Sequence, residues 1–421
     1  MSAPHGLPRL LASVRDDGRP TSFEEHIRAY GHARDAAGGS ELISIVEASG
    51  LSGRGGAGFP TGAKLAAVAG QRGRPVVVVN AVEGEPASGK DRALLRATPH
   101  LVLDGAVLAA DAVGAREVIV GIGRRASREQ KALAEAIAAR GRSDGRCTLR
   151  AVAAPDGFVN GEETALINFL NGGPPKPTFT PPRPFERGVA GAPTLVQNVE
   201  TLAQIALIAR YGARWFRELG TPAEPGTALA TVSGAVARPG IHEVELGTPL
   251  RRVLAEAGGS TEAASAYLVG GYFGAWLPAA VGEQLDLDRE SLAAHGGALG
   301  SRVIIAFPST ACAVAEVARV TRYLADESAG QCGPCVNGLG AIATAVERLS
   351  RGEADARPQL KRWAEMVRGR GACRHPDGAV RFVSSALTVF EEEIELHLRH
   401  GRCGGKQMAV LPAAQRRQVA A

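Results

Sequence analysis

Residues 22–49 read mostly as helix and end in a glycine-rich run at 50–62. A further helix is expected from about Thr61, and the β-branched run Val76–Val79 reads as a buried strand leading to Asn80. The apolar stretch 99–113 has helical length, Glu117–Val120 reads as another strand, and Ser127–Arg140 mixes polar and apolar positions as a surface helix does. Strands and helices that alternate in this way predict an α/β layered sheet.

The texture then changes twice. Residues 171–193 carry seven prolines and little periodicity, which predicts an ordered loop or linker, with a helix following at about 199–210. From Ala228 the string LATVSGAVARPGIHEVELGTPLRRVLAEAGG alternates like strands, turns at Pro239-Gly240 and enters a helix after Gly247-Thr248. That predicts a small β-rich domain with one short helix. Residues 310–398 become helical, with apolar positions three and four apart and cysteines near helix ends.

Composition sharpens this only a little. A chain of 421 residues is long enough for two or three domains, each with its own core. The 45% apolar and 22% charged residues are ordinary for a globular protein. A net charge of +5, spread along the chain, leaves a nucleic-acid partner unsupported, although a loosely basic surface would suit an acidic redox protein. The stretch MSAPHGLPRLLASVRDDGRP lacks an apolar core followed by a cleavage site, so a signal peptide is not expected. No apolar run approaches the length that spans a bilayer. Six cysteines are too few for a disulfide scaffold, and three of them gather around one C-x-x-C, which favours metal or redox use and a cytoplasmic location.

Three groups of residues carry candidate chemistry. In ESAGQCGPCVNG, Cys332 and Cys335 can reach one metal centre from a tight turn, as in iron–sulfur and zinc sites alike, with Cys373 further along. In GLSGRGGAGFPTGAKLAAV, Gly53, Gly55 and Gly58 satisfy G-x-G-x-x-G, but the segment before them looks helical, whereas a dinucleotide fingerprint needs a strand. The wider string suits a flavin or nucleotide phosphate, with backbone N–H groups, Arg54 and Lys64 around a helix amino terminus. Glu83 and Glu85, Glu162 and Glu163 with Thr164, and Gln197, Asn198 and Thr201 lie at element ends. Singly they read as caps and turns, and jointly they offer the partners that a ribityl chain needs.

Taken in order, the glycine loop, N-A-x-E-G-E-P, G-E-E-T-A-L, P-T-x-x-x-N-V-E-T-L and E-S-x-G-x-C-x-P-C resemble the FMN- and NADH-binding flavoprotein subunit of respiratory complex I, the F-type subunits of NADH-quinone oxidoreductase, together with their hydrogenase and formate dehydrogenase relatives. The resemblance covers nearly the whole chain. It implies a Rossmann-like α/β FMN domain (1–215), a ubiquitin-like β-grasp (SLBB) domain (225–305), a helical iron–sulfur bundle (310–400) and a tail (401–421). FMN would be cradled by Gly53, Arg54, Gly55, Gly56, Gly58, Phe59, Lys64, Asn80, Glu162, Glu163, Asn198 and Thr201, with Glu83 and Glu85 on the nicotinamide side as the catalytic carboxylates. A hydride would pass from NAD(P)H to the flavin, and electrons would leave through a cluster to a ferredoxin-like [2Fe–2S] subunit or a membrane-bound reductase complex. The protein would then sit in the cytoplasm at the periphery of that complex.

The chain departs from the pattern at functional places. The family's Asp, Tyr and second Asn are replaced by Val82, Phe158 and Gln197. An aromatic that would stack on adenine opposite Phe59 is Ala67, and Lys-Pro-Pro-Phe is Thr180-Pro181-Pro182-Arg183. Weaker NADH binding follows, or NADPH held through Arg183. The first cysteine of the cluster motif is Ala329. A fourth ligand would come from Cys403, Ser328 or His375. Otherwise the site holds [3Fe–4S] or a cluster with one exchangeable iron, or zinc, or nothing. Cys147 and Cys312 read as buried fillers, and His375 as a structural residue at a turn. The rival reading is an interaction subunit that keeps the fold and lacks the cofactors.

Overall fold

A computed structural model describes residues 5–413 apart from 16, 142 and 146. The chain forms two compact units, one of residues up to 84, 89–230 and 241–248, the other of 85–88, 231–240 and 249 onward.

The first unit opens with α1 (Phe23–Tyr30), α2 (Gly39–Ser49) and α3 (Thr61–Ala69). The stretch 22–49, expected to be mostly helix, forms two helices: Gly31 caps α1 at φ 76°, and Gly39 restarts the chain at φ 56°, conformations open to glycine at little cost. There follow β1 (Val76–Ala81), α4 (Lys90–Ala97), α5 (Pro99–Val113), β2 (Glu117–Gly123), α6 (Ser127–Arg140), β3 (Thr148–Ala154), α7 (Glu163–Leu170), β4 (Thr194–Asn198) and α8 (Val199–Phe216). The four strands are all parallel, in the order β3-β2-β1-β4. Val77 and Val79 bury one face of β1 in the core that holds Leu101, Leu195 and Leu202, while Val78 buries the other beside Ile119 and Leu166. Burial on both faces is why β1 is a continuous β-branched run rather than an alternating one.

The remaining elements are β5 (Thr227–Gly234), β6 (Gly240–Glu245), α9 (Leu250–Glu256), β7 (Ala264–Val269), β8 (Ala275–Pro278), α10 (Ala279–Gly282), α11 (Arg289–Ala294) and β9 (Val303–Pro308). Their sheet runs β6-β5-β9-β7-β8, with β5 parallel to β9 and β7 antiparallel to β8 and β9. Helices α12 (Ala313–Asp326), α13 (Gly340–Ser350), α14 (Ala356–Val367), α15 (His375–Val389) and α16 (Glu391–His400) lie in the second unit. Trp276 of β8 joins sheet to bundle: its ring meets Phe390 edge-on at 5.0 Å, and its backbone N–H donates to Ser385 of α15. Residues 401–413 form the described part of the tail; 414–421 lie outside the described residues.

Candidate functional site

Where β1 connects to one side of the sheet and β4 lies on the other, the strand order reverses, and in open parallel sheets such a switch point is where ligands bind. Asn80 and Asn198 close the two strands there and are register partners. The Asn80 amide donates to the Gly161 carbonyl at 2.7 Å and accepts from Val82 N–H. Asn198 caps α8 by accepting from Glu200 N–H at 3.0 Å and donates to Asp91 at 2.7 Å.

The glycine loop joins α2 to α3, so its approach is helical, as the sequence suggested. Gly53 N–H donates to the Phe59 carbonyl at 2.8 Å and closes the loop on itself. Gly56 and Gly58 take φ of 110° and 63°, while Gly55 and Gly56 are exposed, so their amides are open to an anion at the start of α3. Gly62 allows the close approach that holds this helix: a Cβ there would lie 2.7 Å from the Glu47 backbone.

Two of the expected flavin contacts have other work. Arg54 is 1% exposed, and its guanidinium donates to Ser52 and to the carbonyls of Pro225 and Thr227, so it ties the loop down from inside rather than meeting a phosphate. Thr201, fully buried, accepts from Arg54 N–H at 2.8 Å. Both are corrected to positioning residues: the cost of burying a guanidinium or a hydroxyl is offset here by hydrogen bonds within the protein. Lys64 is the accessible charge, paired with Glu163 at 2.7 Å. Glu162 caps α7 by accepting from Thr164 and Ala165 N–H, and burial raises its carboxyl above the usual range. Phe59 is 57% exposed, an open aromatic face.

Beside the loop lies a buried charge cluster that spacing did not reveal. Lys90 Nζ stands 2.7 Å from Asp91 and 3.0 Å from Glu200. Burial pulls the Lys90 ammonium down, but Asp91, Glu200 and Glu83 hold it above its ordinary value; burial lifts Asp91 to about 6. Glu83 accepts from the N–H groups of Asp91 and Arg92 and so caps α4. Glu85 accepts from Tyr272 N–H at 2.8 Å.

The residues present fit a flavin. Of the buried polar atoms without a hydrogen-bond partner, Gln197 Nε2 lies beside the end of β4 and Thr61 Oγ1 at the first residue of α3. Buried polar groups are ordinarily satisfied, so orphans at a switch point mark a place for a ligand's acceptors.

In the second unit, Cys332 precedes and Cys335 lies within a π-helical turn, Pro334–Leu339, where Val336 N–H donates to the Cys332 carbonyl at 2.9 Å. Burial raises the Cys332 thiol, yet hydrogen bonds from the backbone at Ala372 and Cys335 prevail and lower it. Burial and the neighbouring charges of Cys332 and Cys373 push Cys335 up to about 12. Ala329 is buried. His375 opens α15, buried, with Nε2 2.8 Å from the Leu324 carbonyl, and burial lowers it to about 4. Its Nε2 carries the proton donated to that carbonyl.

Cys403 is corrected. Its sulfur donates to Glu393 at 3.2 Å and belongs with Cys312 and His397, not with Cys332, Cys335 and Cys373, because the turn after α16 carries the chain back to the start of α12. Of the two expected filler cysteines, Cys147 is partly buried against the core and Cys312 buried.

A parallel α/β sheet with a flavin-fitted switch point, a β-grasp sheet and a bundle carrying the C-x-x-C turn and Cys373 define a flavin and iron–sulfur electron-transfer protein. Residues 46–207 match the family model described as the Nuo51 FMN-binding domain, 229–271 an SLBB domain, and 315–397 the NADH-ubiquinone oxidoreductase-F iron–sulfur binding region. The F subunit of NADH-quinone oxidoreductase from Mycobacterium tuberculosis is 37% identical, with 86% of each chain covered. The F 2 subunit from Rhizobium meliloti is 34% identical over 94% of this chain and 99% of its own. An NAD+-reducing [NiFe]-hydrogenase structure in the air-oxidized state superposes with a TM-score of 0.82 at 32% identity, covering 97% of this chain and 68% of that one. The chain belongs to the family of NADH-quinone oxidoreductase F subunits. It is an electron-entry oxidoreductase component with FMN and an iron–sulfur cluster as cofactors, one part of a larger enzyme.

Proposed function

We propose that the protein takes a hydride from NADH at the ends of β1 and β4 and passes single electrons, through a cluster held by Cys332, Cys335 and Cys373, to a ferredoxin-like [2Fe–2S] partner. The observation that carries this reading is the switch point itself, with open glycine amides and the orphaned Gln197 and Thr61. Bound FMN supplies the hydride acceptor that divides an electron pair, and the cluster supplies a one-electron relay.

The chain's own residues bind and orient. The amides of Gly55 and Gly56, the start of α3 and Lys64 neutralise the flavin phosphate, with Glu163 as the ion-pair partner that Lys64 gives up. Asn80 and Asn198 each retain one amide N–H beyond the bonds described, and the Glu162 carboxyl adds an acceptor, for the ribityl hydroxyls. Phe59 offers an apolar face to the donor's adenine. Glu83 and Glu85 are the carboxylates for the nicotinamide side, each fixed by backbone donors. Val336, 62% exposed beside Cys335, offers an apolar contact to the redox partner. Among the described residues no single helix is long and apolar enough to cross a membrane, which suits a peripheral position.

Anaerobic titration of the flavin-loaded protein tests this. NADH should bleach the flavin absorbance at lower concentration than NADPH. A colourless preparation that takes up no added FMN would overturn the reading in favour of a cofactor-free interaction subunit.

A further inference from the structure

We infer that Cys312, Glu393, His397 and Cys403 form a second metal site, for one zinc-like divalent cation, separate from the iron–sulfur cysteines. Their four ligand atoms all lie within 4.8 Å of one another. Cys312 Sγ is 3.3 Å from His397 Nε2, Cys403 Sγ is 3.2 Å from Glu393 Oε1, and His397 Nε2 is 4.0 Å from Glu393 Oε1. Tetrahedral ligands at zinc–sulfur, –nitrogen and –oxygen bond lengths stand ~3.3–3.8 Å apart, so a small closure of these four brings them to one ion. Two thiolates, an imidazole and a carboxylate are the donor set that selects zinc over the hard cations.

The surroundings prepare each donor. His397 Nδ1 lies 2.7 Å from the Ser350 carbonyl and must carry the proton to donate there, which leaves Nε2 with its lone pair facing the site. This second hydrogen bond is the one that metal-bound histidines usually make. Cys312 caps α12 and accepts from Ala315 N–H at 3.4 Å; Cys403 accepts from Gly405 N–H at 3.3 Å. Burial and the Glu393 carboxylate raise both thiols despite these amides, so the cation itself must hold them as thiolates. Glu393 and His397 stand one turn apart on α16, and Gly401, at φ 71°, ends that helix so that Cys403 turns back. Cys312 and His397 are each 2% exposed.

The site would be a staple. Around it, Cys312 N–H donates to the Lys406 carbonyl and Lys406 N–H to the Thr310 carbonyl, both at 2.8 Å, so the tail is laid along the segment between β9 and α12. A Cβ on Gly405 would come within 2.8 Å of Cys312 N, so only glycine allows this crossing. Further along, the N–H groups of Val410 and Leu411 donate to Glu316 of α12. The ion would lock the tail and α16 to the start of α12, with both thiol protons released on binding.

The experiment measures zinc and iron together in the full chain, purified without chelator and then supplied with zinc alone. About one zinc per chain is expected. Cys403→Ser and His397→Gln should lose the zinc and keep the iron, and Cys332→Ser should lose iron and keep zinc. Should these variants misfold, cobalt added to the wild-type chain provides a second readout, with thiolate-to-cobalt charge-transfer absorption expected. The inference is overturned by a folded wild-type chain that takes up no zinc and shows no such band, by a Cys312–Cys403 disulfide in the peptide map, or by zinc that follows Cys332 instead of Cys403.

Discussion

Asn80 and Asn198 are register partners at the carboxyl ends of β1 and β4, and each uses its side chain to tie down a neighbouring loop or helix. They hold the two strand ends, and the polar groups proposed to meet the flavin, in one place. Replacing Asn198 by alanine removes the cap on Glu200 N–H and the bond to Asp91. About 1–2 kcal/mol of stability should be lost, with flavin bound at least ~10-fold more weakly. Urea denaturation read beside flavin fluorescence titration separates the two effects. A stability loss with unchanged flavin affinity would remove Asn198 from the flavin site.

Arg54 and Lys64, both in the glycine-loop string, should respond in opposite ways. Arg54→Lys leaves carbonyls of Pro225 and Thr227 short of donors in a buried place and should lower stability by ~2–4 kcal/mol. Lys64→Ala should barely move the unfolding midpoint but weaken FMN by ~10–100-fold, because a charge-assisted bond to phosphate contributes about 1.5–3 kcal/mol. The reverse pattern would place the guanidinium, not the ammonium, on the phosphate.

Ala329 stands where the family pattern has a cysteine and is buried, and Cys332, Cys335 and Cys373 are the thiolate ligands proposed above. Three thiolates leave one iron of a cubane without a protein sulfur. Mild oxidation of the wild-type protein should therefore produce a [3Fe–4S]-type EPR signal and release about one iron per cluster. Ala329→Cys should suppress both. A wild-type cluster that resists oxidation as well as the variant would refute an exchangeable iron and call for another protein ligand.

His100 makes stability depend on pH. Burial, then the charges of His26 and Arg140, lower it to about 4 despite Asp104. Its unfolded value lies near 6.5. Between these values the unfolded chain takes up a proton that the folded chain refuses, so stability is present above pH 6.5 and is lost as pH falls toward 4, by at most ~3 kcal/mol. Asp91, raised to about 6, works in the opposite direction, so the His100 share is read as the difference between wild type and His100→Leu. Parallel urea midpoints at pH 7.5 and 5 for the two proteins would exclude this role.

Much was legible in the chain alone. Helices α3, α5 and α6, strands β1 and β2, and the helical approach to the glycine loop all follow from periodicity, β-branched runs and glycines, which act over a few neighbouring residues. The break between α1 and α2 was not legible, because nothing in the apolar pattern of 22–49 marks where two left-handed glycines interrupt it. The five motifs in order identified the flavin and iron–sulfur chemistry, and Ala329 and Ala67 stood out as departures from it.

The tertiary structure decided where each charge and sulfur goes. It turned Arg54 inward to two carbonyls, gathered Lys90, Asp91 and Glu200 into one buried cluster, and took Cys403 from the iron–sulfur cysteines to Cys312, Glu393 and His397. Local spacing cannot report these choices, since they depend on which distant backbone groups need partners once the core has closed. Sequence fixes the ligand types available, and packing selects the ones that meet.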